Sequence, residues 1–72
     1  MDYRIKTVNV KTGERTVNEI SDSMMQAERS FELACAVFVD ETGTPLNDAS
    51  AWEKQNEDGY VKLEMNFGGG WA

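Results

Sequence analysis

The sequence predicts a small two-layer α+β domain, in which an antiparallel sheet of about four strands carries one main helix on one face. The chain has 72 residues, which is enough for one domain and too few for two. Apolar residues recur with helical spacing after a run of capping residues, and a later segment alternates strictly between apolar and polar residues. We therefore expect a single domain over residues 1–67, in the order β-β-α-β-β, and a glycine-rich tail over residues 68–72.

The first two strands are expected to form a hairpin. Residues 3–10 are rich in β-branched side chains, but their apolar positions change face midway, so a bulge or twist is expected near Thr7. Residues 11–14 form a turn in which Gly13 can adopt positive φ. Residues 15–20 then return as the second strand.

The helix is the clearest element in the sequence. Ser21, Asp22 and Ser23 are all good N-cap residues. Ser23 and Gln26 together match a capping box, which indicates that the helix begins at this point. At about 100° per residue, five apolar residues fall on one arc that we expect to face the core. These residues are Met24, Ala27, Phe31, Ala34 and Cys35.

The second half of the chain is expected to contribute two strands and turns. Residues 36–39 form a short apolar run that is typical of a central strand, and residues 40–45 are expected to form a turn. Residues 46–55 are ambiguous between a short helix and a loop. After a turn at 56–59, residues 60–67 alternate as a half-buried strand. Its expected core face consists of Val61, Leu63, Met65 and Phe67.

The C-terminal tail contains three successive glycines before Trp71. Because glycine is costly to hold in one backbone conformation, we expect Trp71 to lie on a flexible tether.

Charge is distributed unevenly along the chain, whose formal net charge is -6. Residues 1–18 contain four basic and two acidic side chains, whereas residues 19–72 contain three basic and eleven acidic ones. This balance disfavours direct binding to nucleic acid or to an anionic membrane, both of which require a basic footprint. The expected partner is a basic protein surface, such as that of a nucleic-acid-binding protein or complex.

The residue types argue against catalysis and against a bound metal or cofactor. The chain has no histidine, and Cys35, its one thiol, lies on the apolar face of the helix without a base to activate it. The acidic run at Asp40 and Glu41 does not match the calcium-binding loop, because Pro45 occupies the position that requires glycine. We expect no catalytic, cofactor or metal site. The single cysteine and the N-terminus, which lacks a signal-peptide pattern, favour the cytoplasm.

A protein-binding surface is the remaining functional prediction. Acidic residues flank apolar ones of uncertain burial, and tryptophan is enriched among binding hot spots. Trp52 has an alternative role, which is to cover an edge of the core. The expected partner-binding residues are Met25, Glu28, Glu32, Leu33, Trp52, Glu53, Glu57, Asp58 and Trp71.

In size, acidity and lack of catalytic residues, the whole chain resembles the small anti-defence proteins of bacteriophages, which block restriction or CRISPR complexes. The resemblance implies a small inhibitor or modulator that occupies a basic site on its target, and it assigns no residues. A second hypothesis is a homodimer or accessory protein that pairs an edge strand, either 15–20 or 60–67. A third is a minor enzyme subunit or a ligand-binding module, which requires a pocket of about 300 Å³ or more.

Overall fold

The computed structural model describes residues 1–72 and contains one helix and five strands. In chain order these are β1 (Asp2–Asn9), β2 (Glu14–Ser21), α1 (Met24–Thr42), β3 (Asn47–Ser50), β4 (Glu53–Asn56) and β5 (Gly59–Met65). All neighbouring strands are antiparallel, in the order β2-β1-β5-β4-β3, and α1 packs against β1 and β5. The predicted α+β fold, one helix on an antiparallel sheet, is confirmed, with five strands where about four were expected.

The core lies between α1 and the two central strands. In the register of β1 and β5, Ile5 pairs with Leu63 and Tyr3 pairs with Met65, so their side chains share the face under the helix. The helix contributes a buried stripe at i, i+4 and i+7 spacing. The core cluster consists of Tyr3, Ile5, Ala27, Phe31, Cys35, Phe38, Val61 and Leu63.

Strand β1 has no bulge near Thr7, where the sequence predicts either a bulge or a twist. Its pairing with both β2 and β5 is continuous in register. The change of face has another explanation, which is that β1 has buried side chains on both of its faces. Val8 is buried on the face away from the helix, where its register partners are Arg15 and Tyr60.

The N-terminus of the helix is where the sequence predicts it, but its C-terminus is not. Ser23 is the N-cap, and its Oγ accepts a hydrogen bond from the Gln26 backbone N–H at 3.2 Å. Residues 36–39, predicted as a strand, continue the helix to Thr42. Only Phe38 in that run is buried, which extends the stripe of Phe31 by two turns. A four-residue apolar run cannot by itself distinguish strand from helix, and the helical period of the longer segment decides the outcome.

The C-terminus of α1 is held by a glycine and by a lysine from another element. Gly43 has a left-handed conformation, with φ of 71°, and its N–H donates to the Val39 carbonyl at 2.8 Å. The last turn contains no basic residue. Lys11, from the β1–β2 turn, donates through Nζ to the Thr42 carbonyl at 3.0 Å. This contact places a positive charge at the negative end of the helix dipole.

Residues 46–55, which the sequence left open between helix and loop, lie almost entirely in the short hairpin β3–β4. Its register shifts between Asp48 and Ser50, which marks a bulge or irregularity. All four residues of β3 are exposed. The hairpin joins the sheet through β4, while Leu46 and Trp52 pack against the core cluster.

The C-terminal segment folds back on the sheet in the structure. Met65 and Ala72 exchange backbone hydrogen bonds of 2.7 and 3.0 Å, and the Phe67 N–H donates to the Gly70 carbonyl at 3.2 Å. Strand β5 ends at Met65, so Phe67 lies outside it and is exposed, contrary to its predicted place on the core face. The structure thus has a closed turn where the sequence predicts a tether, and the mobility of this segment stays a prediction.

Gly59 offers a direct test of the turn between β4 and β5. Its φ is +145°, and a Cβ built there would lie 1.8 Å from the Val8 carbonyl oxygen. We expect Gly59→Ala to lower the free energy of unfolding by at least about 3 kcal/mol, because backbone atoms cannot move aside cheaply. Gly13→Ala is the matched control, since its φ is +79° but nothing lies within 4 Å. It should cost only about 1 kcal/mol. Equal losses for the two variants in urea unfolding would contradict the packing of this turn.

Candidate partner-binding surface

An open depression of about 220 Å³ lies between α1 and the β3–β4 hairpin. We call it the Trp52 depression. It is lined by Glu28, Phe31, Glu32, Ala51, Trp52 and Lys54. The structure therefore brings together three of the residues predicted from the sequence, namely Glu28, Glu32 and Trp52.

Trp52 lies at the rim of the core. Its ring meets Phe31 edge-on, with centroids 6.2 Å apart and an interplanar angle of 76°. Its backbone carbonyl accepts from the Leu63 N–H at 2.8 Å, and its own N–H donates to Ser50 Oγ at 3.3 Å. The residue is half-buried and packs against the core cluster. One part of Trp52 thus covers a core edge, which is the alternative role expected from the sequence, and another part remains open to solvent.

The carboxylates beside Trp52 have no cation of their own. Glu28 and Glu32 are four residues apart on α1, and both are exposed. The one cation lining the depression is Lys54, whose Nζ pairs with Asp48 at 3.8 Å. Neither glutamate forms an ion pair within the chain. Like charges at this helical spacing repel each other, so an external cation would relieve the repulsion.

Most acidic side chains of the molecule likewise lack an ion-pair partner within the chain. Of the thirteen acidic residues, only Asp22, Asp48 and Glu64 form ion pairs. The negative field of the chain is therefore directed to solvent and is little compensated internally.

Glu64 is the one buried acidic residue, and it forms ion pairs within the sheet. Arg4 Nε donates to its Oε1 at 2.8 Å, and Lys62 Nζ lies 3.8 Å from its Oε2. Burial alone raises the pKa of this carboxyl, but the hydrogen bond and charge of Arg4, with Lys62 and Lys6, together lower it below its usual range. Arg4 also lies 4.4 Å from the centre of the Trp71 ring, which is a cation–π contact.

Two apolar residues from the predicted set lie on different sides of α1. Met25 and Leu33 are both 66% exposed. Met25 precedes Glu28 by three residues and so shares the side of the helix nearest the depression. Leu33 lies on the other flank, where it lines a groove between α1 and β2.

The remaining predicted residues lie away from the Trp52 depression. Glu53 pairs in register with Lys62, on the face of the sheet that the helix leaves open. Glu57 and Asp58 form the turn between β4 and β5. Trp71 packs on Arg4, also on the open face. The predicted set therefore divides into at least three surfaces.

The groove between α1 and β2 was not predicted from the sequence. Its volume is about 270 Å³, slightly below the usual range of small-molecule pockets. Thr16 and Asn18 line one side, and Leu33, Ala34 and Val37 line the other. It exists because α1 packs on β1 and β5 and leaves β2 uncovered, which no local sequence pattern reveals.

The one thiol of the chain lies on the core face of α1. Cys35 is buried, and burial raises the pKa of its thiol, with Lys54 opposing the shift and Asp48 and Glu32 adding to it. The acidic and cysteine side chains form no cluster of three or more suited to a metal ion. The one helix lacks the continuous apolar length needed to cross a bilayer.

No protein-family model, curated protein or solved structure matches the chain. Any assignment of function therefore rests on the residues described above.

The Arg4–Glu64 pair predicts a specific pH dependence of stability. Because the folded pKa of Glu64 is lowered, its contribution is fully present above pH about 4.3 and is lost as the pH falls through the folded pKa. We expect Glu64→Gln to lower the free energy of unfolding by about 1–3 kcal/mol at pH 7, and the difference from wild type to shrink below pH 4.3 or so. Urea unfolding across this pH range measures it, with the exposed, unpaired Glu57→Gln as control. A difference that is constant with pH would contradict a stabilising role for the Arg4–Glu64 ion pair.

Proposed function

We propose that the chain is a protein-binding inhibitor or modulator whose acidic surface occupies a basic site on a target protein. The observation that carries this proposal is the pair of unpaired carboxylates, Glu28 and Glu32, beside the exposed part of Trp52. A site of this composition fits a target that presents arginine or lysine next to an apolar patch. Nucleic-acid-binding surfaces have that composition, since they combine basic and aromatic side chains.

Binding to such a target would gain free energy from local contacts and from the long-range field of the chain. Locally, a cation from the target would remove the repulsion between Glu28 and Glu32, and a half-buried tryptophan supplies a rigid anchor at small entropic cost. Over longer distances, the net charge of -6 attracts a basic partner and raises the rate of association. Affinity should therefore fall as salt concentration rises.

A steric and electrostatic plug agrees better with this surface than a close mimic of DNA. Duplex DNA carries a charge about every 1.7 Å along its axis. The acidic residues here are sparser, and Arg29, Lys54 and Lys62 interrupt them. In its general physical type the proposed protein is like the phage anti-defence inhibitors, acting in the cytoplasm on a restriction or CRISPR component or a similar nucleic-acid-binding complex.

Affinity capture tests for such a partner. The tagged chain would be incubated with lysate of the native host at about 50 mM and about 500 mM salt, and the eluted proteins identified by mass spectrometry. We expect a basic, nucleic-acid-binding protein that elutes at the higher salt. Capture of only acidic or neutral partners, with no salt dependence, would contradict the proposal.

Charge reversal separates the local contact from the general field. Glu28→Lys/Glu32→Lys and Glu57→Lys/Asp58→Lys change the net charge equally, but only the first pair lines the Trp52 depression. We expect the first variant to weaken binding of the captured partner by roughly 100-fold, mainly through faster dissociation. The second should weaken it by less than roughly tenfold, mainly through slower association. Surface plasmon resonance measures both rates, and equal losses in the two variants would remove the depression as the contact site.

A further inference from the structure

Strand β2 is the one long edge of the sheet without a neighbour. The opposite edge, β3, has four residues and an irregular register. Strand β5, an edge candidate from the sequence, is paired on both sides, by β1 and β4. Strand β2 has eight residues in continuous register with β1, and all of them except Ile20 are exposed.

The backbone N–H and C=O groups of β2 that are free of β1 belong to its odd-numbered residues. The Asp2 carbonyl accepts from the Asn66 N–H, and the Val10 N–H donates to the Asp58 carbonyl. In β1, the backbone N–H and C=O groups of even-numbered residues are therefore directed towards β5. Odd-numbered residues of β1 therefore bond to β2, and their register partners in β2 are even-numbered, such as Tyr3 with Ile20. The N–H and C=O groups of Arg15, Val17 and Glu19 are left directed away from the sheet.

The side chains on this edge are complementary to themselves. Arg15, Val17 and Glu19 project from the same face of β2, and neither charged residue has an ion pair within the chain. When a second β2 runs antiparallel with Val17 opposite Val17, Arg15 lies opposite Glu19 at both ends of the contact. The pairs that face each other also carry the outward backbone groups, so about six hydrogen bonds can form.

We propose that β2 is a homodimerisation edge, at which two copies of the chain join their sheets about a two-fold axis passing through Val17. Moving the axis to Asn18 places Arg15 opposite Ser21 and Val17 opposite Glu19, and both ion pairs are lost. Moving it to Thr16 places Arg15 opposite Val17. A row of like charges on an edge strand prevents such pairing, whereas two opposite charges placed symmetrically about a valine favour it.

This arrangement places both helices on the same face of a continuous sheet, because the two-fold axis is perpendicular to it. The Trp52 depressions of the two copies would then open on the same side. The dimer does not depend on the target proposed above, since no residue of β2 lines that depression. Strand pairing alone buries a small area, so dimerisation should be weak and dependent on concentration.

Sedimentation equilibrium with two charge-reversed variants tests both the edge and its register. Arg15→Glu places two glutamates opposite each other in its homodimer, and Glu19→Arg places two arginines opposite each other. We expect each variant alone to dissociate at roughly tenfold higher concentration than the wild type. In a 1:1 mixture the two substituted side chains face each other, as do the two unchanged ones, so both opposite-charge pairs form again and wild-type association should return. The exposed Arg29→Glu, on α1, is the matched control and should leave association unchanged.

A proline at the axis provides an independent readout. Val17→Pro removes an N–H that the folded monomer does not use, so it should preserve the fold, as circular dichroism can verify, and abolish the dimer. Hydrogen exchange at the amides of Arg15, Val17 and Glu19 should slow as concentration rises from about 1 μM to about 1 mM. A wild-type monomer throughout this range would overturn the proposal. So would a dimer that tolerates Val17→Pro, or a mixture of the two charge variants that remains monomeric.

Discussion

A single helix can cover only about two strands of a sheet, and most features of this molecule follow from that limit. A helix is about 10 Å across, while neighbouring strands are spaced about 4.8 Å apart. Helix α1 packs on β1 and β5, where Phe31 and Phe38 meet Ile5 and Leu63 in the core. The strands on either side extend beyond the helix. One uncovered flank is the groove between α1 and β2, and the other is the Trp52 depression between α1 and the β3–β4 hairpin.

The distribution of charge agrees with this division. In the covered strands, Glu64 is the one acidic residue that forms ion pairs, and its partners are Arg4 and Lys62. The exposed side of the helix carries Glu28 and Glu32 without partners. Surface charges contribute little to stability when they are solvated, so these two residues add little to the fold and are available for contact with another molecule. Each flank is therefore only partly covered by the helix, and each has polar or charged groups without a partner in the chain.

The elements predictable from the sequence are those in which local pattern and tertiary packing agree. The Ser23 cap, the first three turns of α1 and the Val61–Leu63 alternation each have a strong periodic or capping signal, and the structure has them as predicted. Residues 36–39 have strand propensity, but packing of Phe38 in the core keeps them helical. Residues 47–56 are polar and short, so they give no periodic signal, and pairing with β5 determines their hairpin.

The candidate site is only partly predictable from the sequence, for the same physical reason. Glu28, Glu32 and Trp52 were identified individually by charge and residue type. Their proximity could not be predicted, because it requires the β3–β4 hairpin to place Trp52 against Phe31. For the same reason, the sequence did not indicate that Lys54 lines the depression. The exposed edge of β2 follows only from the order of the strands in the sheet.

Nuclear magnetic resonance maps the contact surface of the chain directly. Amide shifts of the ¹⁵N-labelled chain would be followed while its captured partner is added. If the uncovered flank beside Trp52 is the working surface, the largest changes will fall on Glu28, Glu32 and residues 51–54. Changes centred on the helix-free face of the sheet, around Lys6, Lys62 and Trp71, would contradict it.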